Sequence, residues 1–211
     1  MAFFQKKPDV SSSAPLYTLG SHRTVLIIGL GNPGKEYTGT RHNIGFATLD
    51  HFAEQNNFPD WVDKGDLKCQ VAAQNLGEAR VILCKPTTFM NASGEAAQAI
   101  QHFYRLYNQQ TLAVYDELAI KFGQIRTRVG GADAGHNGVK SLIAHLGDDF
   151  GRLRIGVSGE LASRQDAANL VLAKFSKEEK TRLPAILKET SVLLIDYIFS
   201  GELTNQTLKV L

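Results

Sequence analysis

The fold turns on one stretch, Thr24-Val25-Leu26-Ile27-Ile28-Gly29-Leu30-Gly31-Asn32-Pro33-Gly34. Residues 24–30 read as a buried strand because an apolar run rich in β-branched side chains follows Thr24, and Gly31-Asn32-Pro33-Gly34 closes it with turn chemistry. Positions 29–34 also satisfy G-x-G-x-x-G, the fingerprint of a dinucleotide site. That match is rejected on physical grounds. The fingerprint needs a helix that starts among its glycines, so that the first amides face a pyrophosphate. Residues 35–41 carry no apolar helical period, and the next helical pattern opens only near Asn43. No second strand ends in an acidic residue at the expected spacing; Asp50 and Glu54 fall inside the helix. What the stretch does supply is a set of polar groups at the exit of a buried strand, the edge where ligands bind in α/β sheets.

Working outward, Ile44, Phe46, Leu49, Phe52 and Ala53 recur at helical spacing after Asn43. Leu67, Cys69, Val71 and Ala73 alternate, predicting a half-buried strand that a hairpin around Gly77 joins to a second strand at residues 81–84. If Leu76-Gly77 is the centre of that hairpin, Cys69 stands opposite Cys84, with both thiols reduced. Asn91 or Ser93 is expected to cap a helix whose buried face carries Ala92, Ala96, Ile100, Phe103 and Tyr107. Residues 112–115 form a short buried strand ending at Asp116. Ile125, Thr127 and Val129 alternate with Gln124, Arg126 and Arg128, giving a strand with a basic face. Val139, Leu142, Ile143 and Leu146 mark a helix ended by Gly147. Leu153, Ile155 and Val157 alternate with Arg152 and Arg154, a second strand with a basic edge. Ser176-x-x-Glu179 is a capping box opening a long helix to about Ser200, with Pro184 in its first turns or at a kink. Strands interleaved with helices, plus one hairpin, predict an α/β fold: a single-domain three-layer sandwich in which a mixed, twisted sheet is flanked by helices.

Composition bounds the function classes. The 211 residues are 43% hydrophobic and 21% charged, enough for a continuous core without staples. No stretch approaches the roughly 18 apolar residues needed to span a membrane. Two cysteines and no secretory signal predict a reducing, cytoplasmic setting. Residues 1–22, with Ser11-Ser12-Ser13-Ala14-Pro15, read as a flexible N-terminal extension ahead of one domain at 23–211. A net charge of +2 is too mild to diagnose a nucleic-acid binder. Locally, residues 121–154 hold Lys121, Arg126, Arg128, Lys140, Arg152 and Arg154 against Asp133, Asp148 and Asp149, an excess that matches either a phosphate backbone or a solvated surface.

Asn32, His42, Asn91, Asp116, His136 and Asn137 all fall at strand exits or helix starts. Each alone has a structural explanation as a cap, a turn residue or a buried histidine. Together they form a set that can activate water. A neutral imidazole accepts a proton at pH 7, and a carboxylate on its far nitrogen fixes the tautomer and stabilises the imidazolium. Asp116 is the best such partner for His42, with Glu117 expected to point elsewhere. Neutral asparagine amides donate to an oxyanion or hold a peptide main chain without competing for the proton. No serine lies in G-x-S-x-G, both cysteines read as strand residues, and no cluster has zinc spacing, so His-activated water is favoured over covalent or metal-assisted schemes.

At these residues the sequence resembles bacterial-type peptidyl-tRNA hydrolases. The matching stretches are Ile28-Gly29-Leu30-Gly31-Asn32-Pro33-Gly34, Glu36-Tyr37, Thr40-Arg41-His42-Asn43 and Lys85-Pro86-Thr87-Thr88-Phe89-Met90-Asn91-x-Ser93-Gly94. Asp116-Glu117-Leu118, Gly135-His136-Asn137-Gly138-x-Lys140-Ser141 and Arg152-x-Arg154-Ile155-Gly156 complete the ordered set. The resemblance implies a monomeric enzyme without a cofactor or metal. Its partner would be peptidyl-tRNA, whose ester between peptide and tRNA ribose it would cleave, and residues 23–211 would be the catalytic domain. It implies His42 as catalytic base, Asp116 as its orienting carboxylate, and Asn32 as a residue that places substrate or water. Asn91 and Asn137 would clamp the peptide main chain, with Tyr37 and Met90 along the substrate cleft. His136 would be a supporting neighbour, and Arg126, Arg128, Lys140 and Arg154 would meet tRNA phosphates.

Three departures from the family pattern stand out. Ala132 and Ala134 make Gly130–Gly135 less glycine-rich, which is expected to stiffen a loop over the cleft. Ser158-Gly159-Glu160 replaces a segment containing His-Pro-Gly, which affects the tRNA side. Ala119 stands where an acidic residue is common. The competing expectations are a non-catalytic RNA-binding homologue of the same fold and a small-molecule esterase; the basic strand faces disfavour the latter.

Overall fold

The computed structural model describes residues 23–159 and 167–211; the N-terminal extension at 1–22 and Glu160 lie outside them. Chain order within the described residues begins with strand β1 (Thr24–Gly29), helix α1 (Ile44–Gln55), strand β2 (Val62–Lys64), strand β3 (Cys69–Leu76) and strand β4 (Ala79–Pro86). Helix α2 (Ser93–Tyr104), strand β5 (Thr111–Lys121), strand β6 (Gln124–Val129), helix α3 (Asn137–Leu146) and strand β7 (Gly151–Ser158) follow. Helices α4 (Ala167–Leu172) and α5 (Lys177–Ser200) and strand β8 (Gln206–Lys209) complete it.

The strands make one sheet in the order β2-β3-β4-β1-β5-β7-β6-β8. The central pairs β4/β1, β1/β5 and β5/β7 are parallel, and the flanking pairs are antiparallel, so the sheet is mixed as expected. The unbroken apolar run of β1 is explained by helices on both faces. Val25 and Ile27 pack with Leu49 and Phe52 of α1 and Leu194 and Ile198 of α5. Leu26 and Ile28 pack with Ala96 and Ile100 of α2 and Val139 and Leu142 of α3. Successive side chains of a strand point to opposite faces, so only a doubly covered strand can be apolar throughout. This is the three-layer α/β sandwich.

Several local expectations are corrected. The β3–β4 hairpin turns at Gly77-Glu78, with Leu76 opposite Ala79, so Cys69 faces Pro86 and Val71 faces Cys84. Gly77 takes φ 57, a left-handed value that glycine adopts without penalty, and this sets the register two residues from the one expected. The thiols remain free and on one face, diagonal rather than opposite. Leu67 belongs to a 3₁₀ turn (Gly65–Leu67) rather than to β3. Neither Asn91 nor Ser93 caps α2: a 3₁₀ turn (Met90–Ala92) precedes it, and the Ser93 hydroxyl donates to Met90 O at 3.0 Å. Phe103, within α2, is exposed, and so is Tyr107, which lies beyond the helix because α2 ends at Tyr104 with Arg105 in the left-handed region.

Arg152 does not form a basic edge. It is fully buried, stacks on Phe150 at 4.7 Å, and donates to Ala132 O at 2.7 Å and to Gly131 O. A guanidinium buried this way satisfies carbonyls of a turn that has no strand or helix to do so. The long helix α5 begins at the expected capping box, with Ser176 and Glu179 reciprocally bonded, and runs through Pro184. None of the described helices is long and apolar enough to cross a membrane.

Candidate active site

The site forms where parallel strands end at different heights. Gly29, the last residue of β1, pairs with Val114, but β5 continues to Lys121 instead of stopping at Asp116. Asp116 therefore stands two residues past the end of its neighbour, with a side chain that β1 no longer flanks. The 3₁₀ turn Arg41–Asn43 fills that step and delivers His42. The His42 Nδ1–Asp116 Oδ1 distance is 2.8 Å. The N-terminus of α3 arrives from the other layer and delivers His136, whose Nε2 lies 3.0 Å from the same oxygen. The two rings sit 5.0 Å apart.

The electrostatics follow from this geometry. Burial alone would push the Asp116 carboxyl up, but the rings of His136 and then His42, hydrogen-bonded beside it, outweigh burial and hold it well below the usual carboxylate range. Asp116 is thus an ionised acceptor, and both facing nitrogens must be donors: His42 as Nδ1–H and His136 as Nε2–H. A neutral His42 then has its lone pair on Nε2. His136 has no such spare nitrogen, because its Nδ1 accepts from Gly138 N at 3.1 Å and Val139 N at 3.2 Å and caps α3. Asp116 Oδ2 is buried without a partner among the described residues.

The turn that carries His42 is anchored twice. Asn43 accepts from Asn32 N through Oδ1 and donates from Nδ2 to Asn32 O, both at 2.9 Å, which ties the turn to the exit of β1. On its other side Arg41 is buried, pairs with Glu179 at 2.6 Å, donates to Lys174 O at 2.8 Å and lies over the Phe175 ring. Neither role was assigned from sequence, although both residues sit in the quoted Thr40-Arg41-His42-Asn43 stretch. Their adjacency to His42 was the only available signal, since Glu179 is far away along the chain.

Asn32 is buried, and its Oδ1 accepts from Met90 N at 2.8 Å, so Nδ2 is the end left to donate to a ligand. Met90 is buried against Gly138: a Cβ at position 138 would meet Met90 Sδ at 2.5 Å and Leu30 Cδ1 at 3.0 Å. A side chain at position 138 would force Met90 to shift, and this close approach joins the turn bearing Asn91 to the first turn of α3 bearing Asn137. Asn91 and Asn137 are both exposed on these adjoining turns. Tyr37, half-buried, meets the exposed Phe89 edge-on at 6.3 Å on the rim.

Of the basic residues, Arg126 and Arg154 are cross-strand partners on β6 and β7, and Arg128 lies two residues from Arg126 on the same face. Arg154 is 3.9 Å from Glu117, the one acidic side chain in an ion pair with these three among the described residues. Burial pulls the Arg154 guanidinium down from its usual value, and Arg128 and Arg126 add to this while Tyr115 and Glu117 oppose it. Lys140 is exposed on α3. Glu117 points away from His42, its Oε1 accepting from Ala119 N at 3.1 Å. The sequence spacing signalled no metal group, yet His42, Asp116 and His136 bring possible ligand atoms within 4.8 Å of one another. One nitrogen of each ring is hydrogen-bonded to Asp116 Oδ1, and a carboxylate so placed can also support proton transfer.

Comparison with known proteins agrees with this picture. The family model described as peptidyl-tRNA hydrolase matches residues 26–210. The peptidyl-tRNA hydrolase of Gloeobacter violaceus is 48% identical over 163 residues, covering 77% of this chain and 81% of that protein. That of Lachnoclostridium phytofermentans is 42% identical over 167 residues, covering 79% and 86%. The crystal structure of peptidyl-tRNA hydrolase from Acinetobacter baumannii superposes with a TM-score of 0.79 at 32% identity, covering 86% of this chain and 92% of that one. From the first strand to the last, then, this chain belongs to the peptidyl-tRNA hydrolase family.

Proposed function

We propose that this protein hydrolyses the ester between a peptide and the ribose of its tRNA, releasing both, with His42 as general base. One observation carries the assignment of the base: a single carboxylate oxygen, Asp116 Oδ1, holds two imidazoles, and of the two rings only that of His42 keeps a nitrogen without a partner among the described residues. In this mechanism His42 Nε2 takes a proton from water, and the water oxygen attacks the ester carbonyl. Asp116 stabilises the imidazolium as it forms. The tetrahedral intermediate collapses, its bond to the ribose oxygen breaks, and that oxygen recovers the proton from His42. Asn32 Nδ2 places water or the carbonyl, and Asn91 and Asn137 grip the peptide main chain, which suits a substrate of any sequence. Tyr37 and Met90 border the cleft. Arg126, Arg128, Lys140 and Arg154 supply the positive field for tRNA phosphates. Cytoplasmic location and a monomeric state belong to the same reading, and two buried, free cysteines fit a reducing compartment.

A binding-only homologue of the same fold is the second reading; the Ser158–Glu160 departure favours it and the retained polar set opposes it. Turnover of a purified peptidyl-tRNA decides between them. Wild-type protein is expected to release the peptide, and His42→Ala to lose about 10²–10⁴ in rate, the range of a general base. A His42→Ala variant with nearly full activity means the base is another group.

A further inference from the structure

Asp116 Oδ1 carries a second histidine besides His42. His136 touches three things at once. Its Nε2 donates to Asp116 Oδ1 at 3.0 Å, its Nδ1 accepts from two α3 amides at 3.1 and 3.2 Å, and its ring packs edge-on against Tyr115 at 5.0 Å. The next residue, Asn137, is the first of α3.

We infer that His136 is a positioning residue that couples the peptide clamp to the catalytic pair, by capping α3 with one ring nitrogen and holding the His42 carboxylate with the other. Only one protonation state does both. With the proton on Nε2, all three bonds are made. With the proton on Nδ1 the ring would present N–H to two amide donors and a lone pair to a carboxylate, so every bond would be lost. The cap and the carboxylate therefore enforce the same tautomer, and it is the opposite of the one Asp116 enforces on His42. The consequence is mechanical. α3 begins where His136 begins it, so Asn137 is registered to Asp116, and through Asp116 to His42 Nε2. The ester carbonyl, fixed by the clamp, and the water, fixed by the base, then share one reference atom, and misplacement of about 1 Å between such groups costs about 10²-fold in rate.

Two substitutions separate the functions of the ring. Asparagine is a strong N-cap but is shorter than histidine, so His136→Asn keeps the α3 cap and gives up Asp116. His136→Ala gives up both. Steady-state hydrolysis of peptidyl-tRNA is expected to show His136→Asn with KM within about twofold of wild type and kcat lowered about tenfold or more, while His136→Ala lowers kcat similarly and also raises KM severalfold. An Asn variant with wild-type kcat, or one whose KM rises as much as that of the Ala variant, overturns the proposal. Ring ¹⁵N NMR of the wild-type protein provides a test independent of activity: His136 is expected as Nε2–H and His42 as Nδ1–H, and a predominantly Nδ1–H His136 overturns it as well. The kinetic arm rests on His42 as base and the NMR arm does not. Full activity of His42→Ala would therefore remove the base assignment while leaving the tautomer result to stand or fall alone.

Discussion

Asp116→Asn isolates the charge of the carboxylate from its shape. The side chains are isosteric, and an asparagine oxygen at the Oδ1 position still accepts from His42 Nδ1 and His136 Nε2, now at 2.8 and 3.0 Å. On the proposed mechanism, what disappears is the negative charge beside the imidazolium formed when His42 takes a proton. With charges about 4 Å apart and an effective dielectric of about 20, that interaction is worth roughly 4 kcal/mol. A loss of this size from the transition state is about a thousandfold in kcat. The assay is single-turnover release of peptide from peptidyl-tRNA at saturating enzyme, with tRNA binding measured in parallel. Binding is expected to stay near wild type, because Asp116 is 1% exposed and lies beneath the histidines rather than facing ligand. The new amide hydrogens take the place of Oδ2, which has no partner among the described residues, so stability falls by about 1–3 kcal/mol. The pH dependence gives a second check. The folded-state carboxyl is held below its unfolded value, so Asp116 contributes stability that is fully present above about pH 4 and is lost as pH falls through the lower folded-state value. The difference in melting temperature between wild type and Asp116→Asn should therefore shrink as pH is lowered from 7 toward 3. A loss of less than tenfold in single-turnover rate, with the fold intact, would refute the argument that carboxylate charge drives the His42 step.

Ala134 sits at φ 51, a left-handed value that costs a Cβ-bearing residue roughly 1–2 kcal/mol; allowing for the added freedom of the unfolded chain, Ala134→Gly should stabilise by about 0.5–1 kcal/mol, read by denaturant unfolding. A destabilised glycine variant would mean the loop gains more from the methyl group than it loses in strain. Glu179→Gln removes the charge that Arg41 pairs with at 2.6 Å and weakens the α5 capping box; a loss of about 2–3 kcal/mol is expected, with reduced kcat as the His42 turn loosens, and unchanged stability would show the pair to be incidental. Arg154→Ala should weaken tRNA binding and reduce the slope of log affinity against log salt by about one, while an unchanged slope would place tRNA elsewhere.

Much of the scaffold was legible in the sequence because it depends on local periodicity and turn chemistry. The unbroken run of β1, the alternation of β6 and β7, Gly147 ending α3 and the capping box of α5 each carry their signal within a few neighbouring residues. The polar residues that converge at the sheet edge could be named from motifs, because turn and cap positions are also where strand ends collect. Where local signals compete, local reading faltered. Nothing near Phe103 and Tyr107 marks them as exposed, since the burial of Phe103 depends on what packs on α2 and that of Tyr107 on where α2 ends. Arg152 and Arg154 share one alternating pattern, yet one is buried under a turn that needs its donors and the other is half-buried beside Glu117.

By itself, then, the sequence determined the central elements, the layering and the roster of chemical groups, but not the short β2, α4 and β8 or the full length of β5. The tertiary structure decided which histidine keeps a free nitrogen, that β5 outruns β1 so Asp116 stands clear, and that Arg41 and Asn43 brace the turn between them. The physical reason is range. Helix and strand periods are written over a few residues, whereas a tautomer is set by whichever partners face a ring, and Asp116 lies 74 residues from His42 and 20 from His136 along the chain.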